Sequence, residues 1–397
     1  MNTRIPRRWA LLLGLLAISV WVQVGNHFVN IVRGGGGPQD TFAWSPDGTQ
    51  IVYSMIMNYE NPHPDIFVMD ADGSNVRNLS NSPEDDDYFP VWSPDGLRIA
   101  FSSDREGIAE NTSIYVADAD GAAPPRTTIV DTLWPRPVWS PDGASIAWLI
   151  MGVFGGEGNR SGGSVIIDAN TGDLRPLIGD FPDAHFLAWS PDGAQIAFQI
   201  RQDGEPKIYL VDADGGNLHS LTEDNAYDMA WSPDGTQIAF TTRPNDEPPS
   251  EIWVMDADGS NPRKLTNGSI RMWSPDGTRI AFAREGESYI LDVDSADVRQ
   301  SPGGPYFSWS PDATRIAYAH SGFGGLCVME VDGTNIRCLD VGLYLPRPAW
   351  SPDGQYIAYW EHNNNTGVSG FGPTVVGIDE IDALPTVTPA PPVTPQS

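Results

Sequence analysis

Trp44-Ser45-Pro46-Asp47-Gly48 decides the fold, because Trp-Ser-Pro-Asp recurs at Trp92, Trp139, Trp189, Trp231, Trp273, Trp309 and Trp350. Seven of the eight copies continue with Gly, and the remaining one continues with Ala313. Successive tryptophans are 48, 47, 50, 42, 42, 36 and 41 residues apart. That period matches the roughly 40–45 residues of a four-stranded propeller blade. Eight copies predict an all-β chain folded as a single β-propeller of eight four-stranded blades. Seven blades is the alternative, should the short sixth repeat or the incomplete eighth fail to pack as a blade.

Each repeat divides into four strands. A first strand ends at the Trp, and Ser-Pro-Asp-Gly then turns the chain: Pro presets φ, Asp bonds back to its own backbone and Gly accepts positive φ. The second strand is Ile-Ala-aromatic, as in Ile99-Ala100-Phe101 and Ile238-Ala239-Phe240. With a period of two, Ala leaves one face thin enough for a neighbouring blade to approach. The third strand is almost continuously apolar, as in Ile66 to Met69 and Ile252 to Met255, which fits a strand covered on both faces. It ends in Asp-Ala-Asp-Gly at Asp70 to Gly73, Asp118 to Gly121, Asp212 to Gly215 and Asp256 to Gly259. That is a hairpin turn with Gly in the left-handed position, and a more polar fourth strand follows.

These paired motifs resemble the WD-like propeller repeats of TolB-type proteins, over about residues 39–384. The resemblance implies a propeller in an extracytoplasmic binding or scaffolding role. It carries no catalytic residue onto this chain, and no counterpart of the separate N-terminal domain of TolB-type proteins is expected.

Composition points to an exported protein. Gly 41 and Pro 35 in 397 residues supply turns at high density. Net charge is −29, and all 52 acidic residues lie beyond residue 33 with only 19 of the 23 basic ones. Such a field repels nucleic acid and anionic surfaces and favours cationic partners. Arg4, Arg7 and Arg8 precede an apolar run from Trp9 to Val24, interrupted by Ser19 and Gln23. Residues 1–27 are therefore expected to form a hydrophobic helix, either an uncleaved membrane anchor or a cleaved signal peptide. Positive-inside logic places an anchored propeller outside the cytoplasm, and cleavage makes it secreted or periplasmic.

The eighth repeat shows no fourth strand of its own. Residues 28–38 are expected to supply it through Phe28 to Arg33 and a Gly-rich linker, closing the ring and hiding an edge. The Pro/Thr-rich tail, residues 385–397, is expected to be disordered. Cys327 and Cys338 fall on the third and fourth strands of repeat seven, opposite one another across a hairpin turn. In an exported protein that spacing suggests a disulfide, with two buried thiols as the alternative.

Strand direction locates the candidate site. Both tight turns of every repeat share one face of the disc, so the long irregular connections share the other, here the loop face. Variable loops on a rigid frame are where binding usually resides. The innermost strands begin on that face beside the channel, three or four residues before each Trp. That places Tyr88, Arg136, His185, Tyr227, Asp228, Tyr306 and Arg347 around the channel mouth, with Trp134 just ahead of Arg136. Guanidinium and aromatic groups together suit carboxylates, sugars or a peptide segment.

Other constellations are weaker. Glu84, Asp85, Asp86 and Asp87 adjoin the mouth as a cation candidate, with a solvated acidic loop as the plain reading. Six scattered His residues show no metal-ligand spacing, and Asp-Ala-Asp-Gly lacks the further ligands of a calcium loop. Gly367 to Phe371 lacks the last Gly of a nucleophile elbow, so no catalytic motif is recognisable and no cofactor is expected.

Three functional classes follow. The first is a membrane-tethered, extracytoplasmic scaffold that binds a protein, peptide or glycan of the cell envelope through its loop face. The second is a propeller lyase or hydrolase of acidic glycans, carried by His185, Arg136, Asp228, Tyr227 and Arg347. The third is an accessory sensor acting with a separate partner. Ligand identity and oligomeric state are not legible.

Overall fold

The computed structural model describes residues 20–24, 27–31, 42–56, 63–105, 112–122, 125–132, 137–155, 159–178, 184–202, 205–223, 225–244, 249–301, 307–320, 325–341, 343–361 and 373–387. Eight antiparallel sheets follow one another in chain order, each with its strands in sequential order. Their innermost strands end at the eight repeat tryptophans, from Phe42–Trp44 in blade 1 to Leu343–Trp350 in blade 8. The short sixth and incomplete eighth repeats both pack as blades, so the ring has eight rather than seven.

The Ser-Pro-Asp turns are built alike in all eight copies. Each Ser Oγ donates to the Asp Oδ1 two residues on, at 2.5–2.7 Å. The same carboxylate oxygen accepts a backbone N–H two residues further along, at 2.9–3.1 Å. At Asp142 and Asp192 the Ser hydroxyl and then the backbone N–H hold the carboxyl below its usual range. Much of the acidic composition is therefore turn geometry.

The tryptophans join the blades. Seven indole Nε1–H groups donate, at 3.0–3.3 Å, to the carbonyl just before the Trp of the preceding blade. Trp44 donates to Ala349 at 3.1 Å, which links blade 1 to blade 8. The Trp309 indole nitrogen is buried with no hydrogen-bond partner. The second-strand alanines accept the neighbouring blade as expected: Ala197 packs with Trp231, Ala239 with Trp273, Ala317 with Trp350 and Ala358 with Trp44.

Three expectations need correction. Val20–Val24, the end of the apolar run, is a strand rather than part of a helix. It pairs with His27–Ile31, so the segment expected to complete blade 8 forms a hairpin with its own upstream neighbour. Blade 8 accordingly has three strands among the described residues. Third, the chain past Thr374–Gly377 does not lose order at residue 385. Helix α1, Ile378–Asp382, buries Ile381 completely between blades 7 and 8. Thr386 then bridges to Arg337, and the Val387 N–H donates to the Ile336 carbonyl at 2.7 Å. Residues 388–397 and 1–19 lie outside the described part. Among the described residues no helix is long and apolar enough to cross a membrane.

Cys327 and Cys338 are register partners and form a disulfide with Cα atoms 4.1 Å apart. It fastens the edge strand Arg337–Leu339, against which the C-terminal segment lies.

Candidate functional site

The two faces of the disc use their arginines differently. On the turn face, guanidinium groups bridge adjacent blades: Arg98 donates to the Gly143 carbonyl at 2.7 Å, and Arg263 to that of Val293 at 2.8 Å. Arg77 and Arg175 reach the carbonyls of Ala119 and Ala213, and Arg299 reaches that of Val331 at 3.2 Å. Arg337 holds the Asp382 and Leu384 carbonyls of the C-terminal segment. A groove of about 790 Å³ opens on this face beside Arg77, Leu97, Arg98 and Asp120, but both its arginines already serve these bridges.

Innermost strands are irregular where they begin on the loop face. The pairing register shifts between His185 and Leu187, between Tyr227 and Met229, between Ile270 and Met272, and between Tyr88 and Val91. Each shift leaves a residue out of the ladder and re-aims its side chain. Phe89 and Asp228 also adopt positive φ, 53° and 37°. Non-glycine residues held this way store strain and cluster at functional positions.

In blade 2 the irregular strand turns its polar groups inward. The Tyr88 hydroxyl donates to Asp86 Oδ2 at 2.6 Å, and His63 Nδ1 lies 2.6 Å from the other oxygen of Asp86. Asp87 is fully buried and receives Arg105 Nη2 at 3.0 Å, with the guanidinium stacked 4.9 Å from the Tyr115 ring. Burial pushes the Asp87 carboxyl up to about 6, although Arg105 opposes the shift. Asp85 accepts the Ser82 hydroxyl, and Glu84 is exposed. The acidic run is thus split among separate partners, and among the described residues no three His, Cys, Asp or Glu side chains converge as a ligand set.

Blades 5 and 6 differ. Arg243, just past strand Gln237–Thr242, is anchored by its backbone N–H on the Asn225 carbonyl at 3.3 Å. Its guanidinium lies 5.0 Å from the Tyr227 ring. Asp228 is half-buried beside it. Burial raises the Asp228 carboxyl, while the charges of Arg271 and Arg243 pull the other way. Among the described residues, neither Arg243 nor Arg271 has a carboxylate within 4.0 Å or a side-chain hydrogen bond.

Of the expected mouth residues, Tyr227 and Asp228 come together there, whereas Tyr88 is turned into the blade 2 cluster. His185 and Arg347 are placed only by backbone, in strands Ala184–Trp189 and Leu343–Trp350. Trp134, Arg136 and Tyr306 lie outside the described residues. Sequence reasoning missed Arg271, because it placed the mouth positions three or four residues before each Trp and Arg271 is only two before Trp273. The register shift there moves the re-aimed position one residue closer to the Trp. It also missed Arg243, which belongs to a loop rather than to a strand.

Comparison with known proteins agrees with this architecture. TolB from Acinetobacter baumannii is 22% identical, covering 77% of this chain and 67% of its own, with a TM-score of 0.45. An oligogalacturonate lyase in complex with manganese is 11% identical, covering 91% of this chain and 97% of its own, at TM-score 0.56. The oligogalacturonate lyase of Vibrio parahaemolyticus is 12% identical, covering 90% and 97%, at 0.55. At that identity the lyases share the fold alone. No curated protein matches the chain. The family model described as the TolB beta propeller domain matches residues 29–153, 159–301 and 229–369, and the chain belongs to that family.

Proposed function

We propose that this propeller is an extracytoplasmic binding scaffold that engages a protein or peptide partner through the loop-face mouth. The observation that carries the reading is the contrast between faces. Turn-face polar groups are consumed eight times over in the same internal bonds, whereas the loop face carries strained, non-repeated positions such as Asp228 with Arg243 and Arg271 beside it. Membership of the TolB propeller family supports binding in general terms. The disulfide and the Arg-flanked apolar leader support export. Val20–Val24 being a strand favours an N-terminal segment that directs export over one whose whole apolar run forms an anchoring helix. The acidic-glycan reading draws only on a shared fold.

Photo-crosslinking tests the choice of face. Benzoylphenylalanine in place of exposed Pro244, next to Arg243 on the loop face, should give discrete adducts in native envelope extract. The same probe at exposed Leu97 on the turn face should give none. Adducts from Leu97 alone, or equally from both, would sink the assignment.

A further inference from the structure

We infer that the mouth between blades 5 and 6 receives the free carboxyl terminus of a polypeptide, with Arg271 and Arg243 taking the carboxylate and Asp228 accepting the adjoining amide N–H. The inference rests on the loop-face reading above and gives it a ligand class.

Charge gives the first argument. Every turn-face arginine named above is bonded to a carbonyl, and on the loop face Arg105 is taken by Asp87. Arg284 is stacked 4.3 Å from the Tyr289 ring. Arg243 and Arg271 are set apart by both acting on one half-buried carboxylate, Asp228, and their two charges exceed its one within a protein of net charge −29. A single carboxylate would neutralise that excess, and a planar guanidinium can receive it through paired N–H donors. Polyanions such as nucleic acids or polyuronates would meet the repulsion of the whole acidic surface first.

Geometry gives the second. The Arg243 backbone is tied to Asn225 and its guanidinium covers Tyr227, so one face is occupied and its N–H edges remain for a ligand. The same stacking covers one face of the Tyr227 ring, and Phe89 and Phe307 near the mouth are buried, which reduces the aromatic surface open to a sugar. Asp228 is held at φ 37° by a bulge, and Arg271 sits at the bulge of the next blade. An acceptor beside two carboxylate receptors matches a chain end, which presents one carboxylate and, one residue earlier in reach, an N–H donor.

The test uses the full chain and an array of N-acetylated hexapeptides, each made with a free carboxyl terminus and as the carboxamide. Fluorescence anisotropy should find members that bind at least tenfold more tightly as carboxylates. Arg271→Gln should lose at least tenfold on those members. Asp228→Asn, which keeps a residue tolerant of positive φ, should bind more weakly while retaining the preference for the carboxylate. Thermal unfolding of both variants guards against a folding defect. Equal binding of carboxylate and amide, unchanged binding by Arg271→Gln, or no binding in the array overturns the inference. Tighter binding of trigalacturonate than of any peptide does so too. Adducts from the probe at position 244 without carboxylate dependence would leave the loop-face reading standing while this one falls.

Discussion

Asp87 and the repeat aspartates show how one side chain acquires opposite roles from its surroundings. In the turns, Asp142 and Asp192 are held below the usual carboxyl range by a Ser hydroxyl and a backbone N–H. Their stabilising contribution is present above the unfolded value of 3.8 and is lost as pH falls through the lowered folded value. Asp87 is buried, and burial outweighs Arg105 to raise its carboxyl to about 6. The folded state therefore binds a proton more tightly than the unfolded chain, and the contribution of Asp87 to stability declines as pH rises from about 4 to about 6. Asp87→Asn abolishes that titration. Relative to wild type, the variant should gain roughly 2–3 kcal/mol between pH 4 and pH 7, at about 1.4 kcal/mol for each tenfold difference in proton affinity between the two states. Urea unfolding at the two pH values measures this, and a pH-independent difference would show that burial does not govern Asp87. The sequence shows the four-acid run but not this division, because burial is set by how blades 1 and 2 meet rather than by local pattern.

At the scale of the repeat element, the eight turns are alike except one. Seven turn glycines have φ of 69–72°, while Ala313 adopts 58°. A Cβ added to any of the seven would stand 3.2–3.6 Å from the proline of the preceding turn. Ala313 carries that extra carbon, buried, at the junction of blades 6 and 7. The same junction holds Trp309, whose indole has lost the carbonyl that the other seven repeat indoles find. The extra methyl and the unmade indole hydrogen bond thus meet at one junction. Ala313→Gly should raise stability by about 1 kcal/mol, since an L-residue in the left-handed region is disfavoured by roughly that much. A lower unfolding midpoint in the variant would refute the account. Turns, strand order and the Cys327–Cys338 register were readable because each follows from a period of two and a hairpin midpoint. The bulges were not, because a one-residue slip such as that beside Arg271 is decided by packing around the channel and leaves no local sequence signal.

For the whole molecule the question is what closes the ring. The sequence suggested a strand borrowed from the N-terminus, since propellers must manage an edge somewhere. The structure instead closes by the contact that already joins the other blades: the Trp44 indole donates to Ala349, and Phe42, Tyr53 and Phe67 of blade 1 pack with Ala358 and Trp360 of blade 8. The C-terminal segment secures the neighbouring junction, between blades 7 and 8. Ile381 is buried among Leu326, Val328 and Ile357, Arg315 reaches Asp382 at 2.9 Å, and Arg337 holds the carbonyls of Asp382 and Leu384 at and just past the helix end. That solution was invisible in the sequence because Ile378 to Leu384 is too short to show a helical period and is followed by proline. It also predicts an asymmetry between the two ends. Removing residues 1–41 from the chain should leave the unfolding midpoint nearly unchanged, because among the described residues no ring-closing bond leaves with them. Ile381→Ala should lower stability by about 2–5 kcal/mol, the range for emptying a fully buried aliphatic site. Chemical denaturation of the two proteins beside wild type discriminates the mechanisms. A large loss on N-terminal deletion with little effect of Ile381→Ala would restore the borrowed strand as the closure, whereas the reverse pattern shows that the ring closes without residues 1–41 and that the C-terminal segment stabilises the junction of blades 7 and 8.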